Sequence, residues 1–451
     1  MTVATARPTA GPLTRCLENP RYFADATGRP VYLTGSHTWA NLQEMGPTDP
    51  PEPFDYDGWL AFLVDHDHTF QRLWMFENAF LAPWAPDGYW FEPLPWERTG
   101  PGLARDGKPR FDLTRFDERW FERLRDRVQR AAACGVYTAV MLFEGWSVDH
   151  KEWGAWGPQG PNPWPGHPFH PDNNVNGIDG GGAAVHTLSD PRVLALQRAY
   201  VERVIDTVGD LDNVLYEIGN EFTHSAENVA WQEAIAALAR EQMGEERRRP
   251  VLMTIPWPGG DNQALFKSSA EAVSPGGWRG QGQARWEYDP PDMAGAKVVL
   301  SDTDHLWGVG GTVDWVWRSF TRGLNPIYMD PYGYDHLNPV APDEDVRRAM
   351  GATSRVARTL DLARMVPAGE RTSTGFALAD GPRTILVYQP YPGRFQVDLR
   401  DAGGPARLTW IDPVSGERTA GATVATDLVV PIDRPQGVPD GPVALLAEVD
   451  G

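Results

Sequence analysis

The sequence predicts an α/β protein: a (β/α)8 TIM barrel followed by a C-terminal antiparallel β-sandwich. Two observations carry that prediction. Over roughly the first 365 of 451 residues, a short apolar run, a polar or aromatic loop and an amphipathic stretch recur in turn. Beyond about residue 370 the helical period vanishes, and strand-like segments follow one another across short turns.

The barrel domain is expected over 1–368 and opens with a hairpin, RYFADATGRPVYL, turning at Thr27-Gly28 and closing the barrel bottom. Eight strands follow: 31–39 (VYLTGSHTW), 69–77 (TFQRLWMFE), 136–146 (VYTAVMLFEGW), 213–221 (NVLYEIGNE), 250–257 (PVLMTIPW), 271–275 (EAVSP), 297–305 (KVVLSDTDH) and 325–333 (NPIYMDPYG). The sixth is the weakest. Between them, 116–135 sets Phe116, Trp120, Leu124 and Val128 at helical spacing and stops at Gly135. Segment 190–209 opens on an Asp-Pro helix start, and 227–244 is a third helix. The sandwich, over 369–451, contains TGFALAD, RTILVYQP, FQVDL, ARLTWID, DLVVPID and PVALLAEVD.

Composition narrows the function. A formal charge of −20 repels nucleic acid and anionic membrane, so neither is an expected partner. No stretch approaches the ~18 apolar residues of a spanning helix, and MTVATARPTAGPLTRC has no apolar signal core. With only Cys16 and Cys134, a disulfide framework is not expected either, and a cytoplasmic location fits. Tryptophan is abundant at 19 residues. Trp84, Trp90, Trp96, Trp153, Trp156 and Trp164 lie in Pro- and Gly-rich segments, where an aromatic face suits the CH-rich face of a sugar.

In such a barrel the reacting groups sit at the carboxyl ends of the strands. Those ends offer His37 and Trp39, Arg72, Trp74 and Glu77, Glu144 and Trp146, Asn220 and Glu221, Asp302, Asp304, His305 and Trp307, and Asp330. YEIGNE (216–221) resembles the strand-four motif of clan A glycoside hydrolases, in which the Glu of Asn-Glu is the general acid/base. Arg72 in QRLWMF matches that clan's strand-two arginine, which steadies the nucleophile. With FDLTRFDERWFERL, LFEGW, HPFHPDNNVNG and LTWIDPVSGE, nearly the whole chain is similar to cellulase-like barrels whose C-terminal domain is named for collagen binding. Here that domain is expected to brace the barrel.

Glycosidic cleavage needs an acid to protonate the leaving oxygen and a second carboxylate to attack C1 or activate water. Glu221, beside Phe222 and among tryptophans, is the expected acid, kept protonated by its surroundings. Asn220 is expected to bond the ring hydroxyl next to the reacting carbon. The resemblance calls for a strand-seven glutamate, yet KVVLSDTDHLWG has none. Asp302 and Asp304, two apart, share a strand face. Asp304, nearer the carboxyl end, is the first candidate for the second carboxylate, Asp302 the next, and Glu144 a rival. Retention and inversion both stay open. Glu217, deeper on the same face as Glu221, is expected to pair with a buried cation.

The long segment 147–189, with Asn173, Asn174 and Asn176, is read as a wall of the cleft or a self-packed loop. The expected function is hydrolysis of a small glycoside or oligosaccharide, without a cofactor and with oligomeric state undetermined. Two other readings are a carbohydrate-binding barrel without catalysis and a metal-dependent hydrolase using His37, Asp302, Asp304 and His305. No spaced metal motif supports the latter.

Overall fold

The computed structural model describes residues 8–85, 88–151, 160–277, 283–334 and 343–449. Its centre is a parallel barrel of eight strands: β1 (Gly35–His37), β2 (Phe70–Leu73), β3 (Tyr137–Met141), β4 (Val214–Glu217), β5 (Val251–Thr254), β6 (Ala272–Ser274), β7 (Val298–Asp302) and β8 (Asn325–Met329). Consecutive strands are neighbours, and β8 returns to β1. Between β1 and β2 the seam is held by a parallel Thr38–Leu73 bridge and by Thr69 N donating to Thr34 O at 2.8 Å. Each of the eight segments expected from the sequence contains one of these strands, EAVSP included.

The interior follows from strand alternation. Phe70, Ala139, Leu215, Leu252, Ala272, Leu300 and Ile327 form one buried apolar layer. Leu13 and Phe23, from the N-terminal segment, join it and plug the bottom. Two residues further along the strands, Arg72, Glu217 and Asp302 stand on the same inward face and make a polar layer above it. The barrel therefore presents charge upward and hydrocarbon downward.

Outside stand α1 (Tyr56–Asp65), α2 (Glu118–Ala133), α3 (Pro191–Val208), α4 (Ala226–Met243), α5 (Asn262–Lys267), α6 (Gln283–Tyr288), α7 (Val313–Thr321) and α8 (Glu344–Ala357). Side chains of Asp117, Asp190, Ser225 and Asp343 accept from first-turn N–H groups and fix where α2, α3, α4 and α8 begin. Trp120, Leu124 and Val128 are buried along α2. Phe116 instead ends a strand, Pro109–Phe116, that pairs with Trp96–Leu103 in a hairpin the sequence reading did not place.

The C-terminal part is a six-stranded antiparallel sheet facing a two-stranded one. Ile385, Val387, Trp410 and Leu445 pack between the sheets against Phe395, Val397, Val430 and Ile432. The first strand of the larger sheet is Val366–Pro367, paired with Ala379 and Leu378. Its outer face lies on the barrel: Tyr388 stacks on Trp317 of α7 at 5.8 Å, and the Trp317 indole donates to Pro413 O at 2.7 Å. Among the described residues no helix is long and apolar enough to cross a membrane. Cys16 and Cys134 are free.

Candidate active site

Arg72 is the centre of the polar layer. Its Nε and Nη2 donate to the two oxygens of Glu217 at 2.9 and 2.6 Å, Nη2 also to Asn220 Oδ1 at 2.8 Å, and Nη1 to Asp302 Oδ2 at 3.1 Å and Asp304 Oδ2 at 3.0 Å. A guanidinium suits this task because its planar fork serves several acceptors at once. Burial opposes its charge, and the carboxylates of Glu217 and Asp302 more than offset that. Glu217 thus has the buried cation its depth requires.

Asp302 is fully buried and its oxygens are taken. His37 Nε2 meets Oδ1 at 2.9 Å. The Trp74 indole donates to His37 Nδ1 at 3.0 Å, so the proton of this imidazole is on Nε2 and points at Asp302. Burial alone would raise the Asp302 carboxyl; His37 and Arg72 outweigh it and hold the group well below the usual carboxylate range. The strand ends here, because Asp302 Oδ1 also accepts from Asp304 N at 3.0 Å and starts a helical turn, Thr303–Leu306. This corrects the strand alternation expected over 302–304. Asp304 stands one step above Asp302 on that turn, its side chain 7 % exposed against 1 %.

Glu221 follows Asn220 at the end of the β4 segment, close enough to Asp304 to feel its charge. Its backbone is left-handed, with φ of +45°, which side chains other than glycine's seldom adopt. The corner is held by Thr254, whose Oγ1 accepts from Glu221 N at 3.2 Å and donates to Gly219 O at 2.9 Å. Lys151 Nζ bonds the Glu221 carbonyl. The Trp146 indole donates to Glu221 Oε2 at 2.7 Å. Burial first, and then the Asp304 charge, push the Glu221 carboxyl well above its ordinary value. Lys151 and Trp146 pull the other way without reversing it.

Asn220 Oδ1 meets His305 Nε2 at 2.9 Å as well as Arg72, and its amide nitrogen has no hydrogen-bond partner among the described residues. His305 Nδ1 is fixed by Ser274 Oγ at 2.7 Å. Above them runs a wall of rings. Trp39 stacks on Tyr334 at 4.7 Å and meets Trp84 at 4.8 Å, and Trp84 meets Trp146 edge-on at 6.4 Å. The indole N–H groups of Trp39 and Trp84 and the hydroxyl of Tyr334 are buried without a partner among the described residues. Trp307 is half-buried and bonds Gly310 O at 3.0 Å.

Several expected contacts with a ligand are corrected by burial. His37 and Trp74 lie behind Asp302 and act on it, not on the cleft. Glu77 turns to the 160–189 segment, meeting His186 at 3.0 Å, His167 at 3.4 Å and Glu144 N at 2.8 Å. Burial would raise its carboxyl, but the two imidazoles bring it down to about 2. Glu144 folds back on its own turn, accepting from Trp146 N and Ser147 Oγ at 2.9 and 3.0 Å, which removes it as the second carboxylate. Asp330 faces α8, gripped by Arg347 at 2.8 and 2.6 Å. Asn173 and Asn174 bond carbonyls of their own loop, at Pro165, His167, Pro168, His170 and Ile178, and Asn176 bonds Asp112. Trp96 is core. Trp153 and Trp156 lie outside the described residues. Among the described residues no group of three or more His, Cys, Asp and Glu is arranged to hold a metal ion.

Lys151, Thr254 and Tyr334 were not singled out from sequence. Thr254 could have been found as the last residue of β5, the strand beside the Asn-Glu corner.

No family model and no curated protein sequence matches the chain. Solved structures do. A glycoside hydrolase family 5 structure from Bacteroides vulgatus superimposes with a TM-score of 0.64 at 14% identity, covering 99% of this chain and 95% of that one. A second structure, described as a glycoside hydrolase, gives 0.61 at 14% identity over 97% of each chain. The fold of this chain, barrel and sandwich together, is the fold of those glycoside hydrolases.

Proposed function

We propose that the protein is a glycoside hydrolase that cleaves an O-glycosidic bond with two carboxylates, Glu221 as general acid/base and Asp304 as the second. The observation that carries this reading is the opposition of the two groups. Glu221 is held protonated by burial and by the Asp304 charge, while Asp304 is bound to the Arg72 guanidinium at 3.0 Å. A carboxyl whose proton is held by burial, with a second carboxyl nearby bound to a guanidinium, is the pair the reaction requires.

The proton of Glu221 goes to the leaving oxygen. Trp146 occupies Oε2 as a donor, so Oε1 carries the proton. Asp304 Oδ2 is anchored by Arg72, which leaves Oδ1 to attack C1 or to activate a water. The amide nitrogen of Asn220 would then bond the hydroxyl beside the reacting carbon. The ring wall of Trp39, Trp84 and Trp146 suits a sugar face. The glycoside hydrolase description of both full-length structural neighbours agrees with this reading.

A barrel that binds sugar without cleaving it would share the wall and Asn220. Turnover of an aryl glycoside panel separates the two. Wild type is expected to release the aglycone from at least one member, and Glu221→Gln to bind that glycoside without cleaving it. Binding without turnover in wild type favours the second reading.

A further inference from the structure

We propose that Lys151 is a positioning residue for the acid: its buried ammonium clamps the backbone of Glu221 and the Trp146 ring that orients the Glu221 carboxyl. The inference rests on the reading of Glu221 as acid/base.

Lys151 follows β3 and reaches back over the site. Its Nζ bonds the carbonyl of Glu221 and lies 5.1 Å from the centroid of the Trp146 ring. That indole is the one donating to Glu221 Oε2 at 2.7 Å. One ammonium therefore touches both the main chain of the acid and the ring that orients its carboxyl. The residue is 3% exposed, and burial pulls its amine down to about 8 against the Glu221, Glu144 and Asp149 charges that favour the ammonium. The carbonyl it grips belongs to a residue with φ of +45°, so the clamp opposes relaxation of a strained corner.

Its charge has a second effect. Glu221 faces Asp304 from the turn after β7 and Glu144 from the end of β3, and both favour the protonated acid. Thr254, from β5, meets only its backbone N–H, and Arg72 and His305 are committed to Asn220 and the Asp304 side. Lys151 opposes the two carboxyls, with Asp149 as its own further anionic neighbour. When Glu221 gives its proton to the leaving oxygen, a carboxylate forms beside the ammonium. That attraction exists only as charge develops, so it favours the transition state over the ground state. It also lets the same carboxylate serve afterwards as a base.

The test reads Glu221 directly. Its protonated C=O stretch, assigned in infrared difference spectra by its loss in Glu221→Gln, is titrated with pH in substrate-free protein. Lys151→Met is expected to raise the midpoint by about one pH unit or more, and Lys151→Arg to keep it within about half a unit of wild type. Lys151→Gln, which retains a donor for the Glu221 carbonyl, should shift as Met does, and it takes Met's place if the Met variant does not fold. An unmoved or lowered midpoint in the neutral variants overturns the proposal, as does an equal rise in the Arg variant. No turnover is needed, so a protein that hydrolyses nothing would overturn the acid/base reading and leave this result standing.

Discussion

The indole N–H of Trp146 donates to Oε2 of Glu221 at 2.7 Å. An N–H stabilises the ionised carboxylate more than the neutral acid, so its loss makes the proton harder to release. Trp146→Phe is therefore expected to move the alkaline limb of the kcat/KM profile up by about one pH unit. An unmoved limb would show that Trp146 does not act on the acid.

Arg72 bridges the carboxyls of Glu217, Asp302 and Asp304 from one buried position. Removing it strands two fully buried carboxylates. Arg72→Met is expected to cost about 3–5 kcal/mol in urea unfolding, and Arg72→Lys to recover only part, because an ammonium cannot reproduce the fork. A neutral Arg72→Met would mean the cluster contributes nothing to stability.

Gly145 lies against the backbone of Glu221. A Cβ there would stand 2.5 Å from Glu221 O and 2.7 Å from Phe222 Cα, and neither can move aside as a flexible side chain does. Gly145→Ala is expected to displace Glu221 and lower kcat/KM about 100-fold, since small misplacements of reacting groups cost that much. Circular dichroism should show the fold retained. Full activity would deny that this corner positions the acid.

Burial lifts the Glu144 carboxyl from 4.5 to about 8. A raised folded value contributes stability that is complete below the unfolded value and lost as pH rises through the folded one. Glu144→Gln keeps an acceptor for Trp146 N and a partner for Ser147 without that loss. Its stability relative to wild type should therefore grow by at least about 1 kcal/mol between pH 5 and pH 8 and then level off. Urea unfolding at several pH values checks this; a difference independent of pH would show that Glu144 titrates normally.

Much of this was legible in the sequence. Short apolar runs separated by helical stretches marked every barrel strand, since strands buried on both faces read as near-continuous apolar runs. Asn220, Glu221, Arg72 and Asp304 were legible because polar groups at strand ends must line the mouth. Glu77, Glu144 and Asp330 obeyed the same rule and failed it, as each turns to bond a local backbone or a helix residue that spacing does not reveal. Asp302 ended its strand by capping a turn, which no apolar period signals. Lys151 lies in a loop without periodicity, and its role depends on a contact 70 residues away.

On the proposed mechanism Glu221 donates a proton to the leaving group while Asp304 acts at the sugar. The most direct measurement is kcat/KM of Glu221→Ala on a matched phenyl and 2,4-dinitrophenyl glycoside. The expected loss is about 10²–10⁴-fold on the phenyl substrate, whose leaving group needs a proton, and under about tenfold on the dinitrophenyl one, which does not. Asp304→Asn should lose activity on both. Equal losses on the two substrates in Glu221→Ala, or an active Asp304→Asn, would contradict the account.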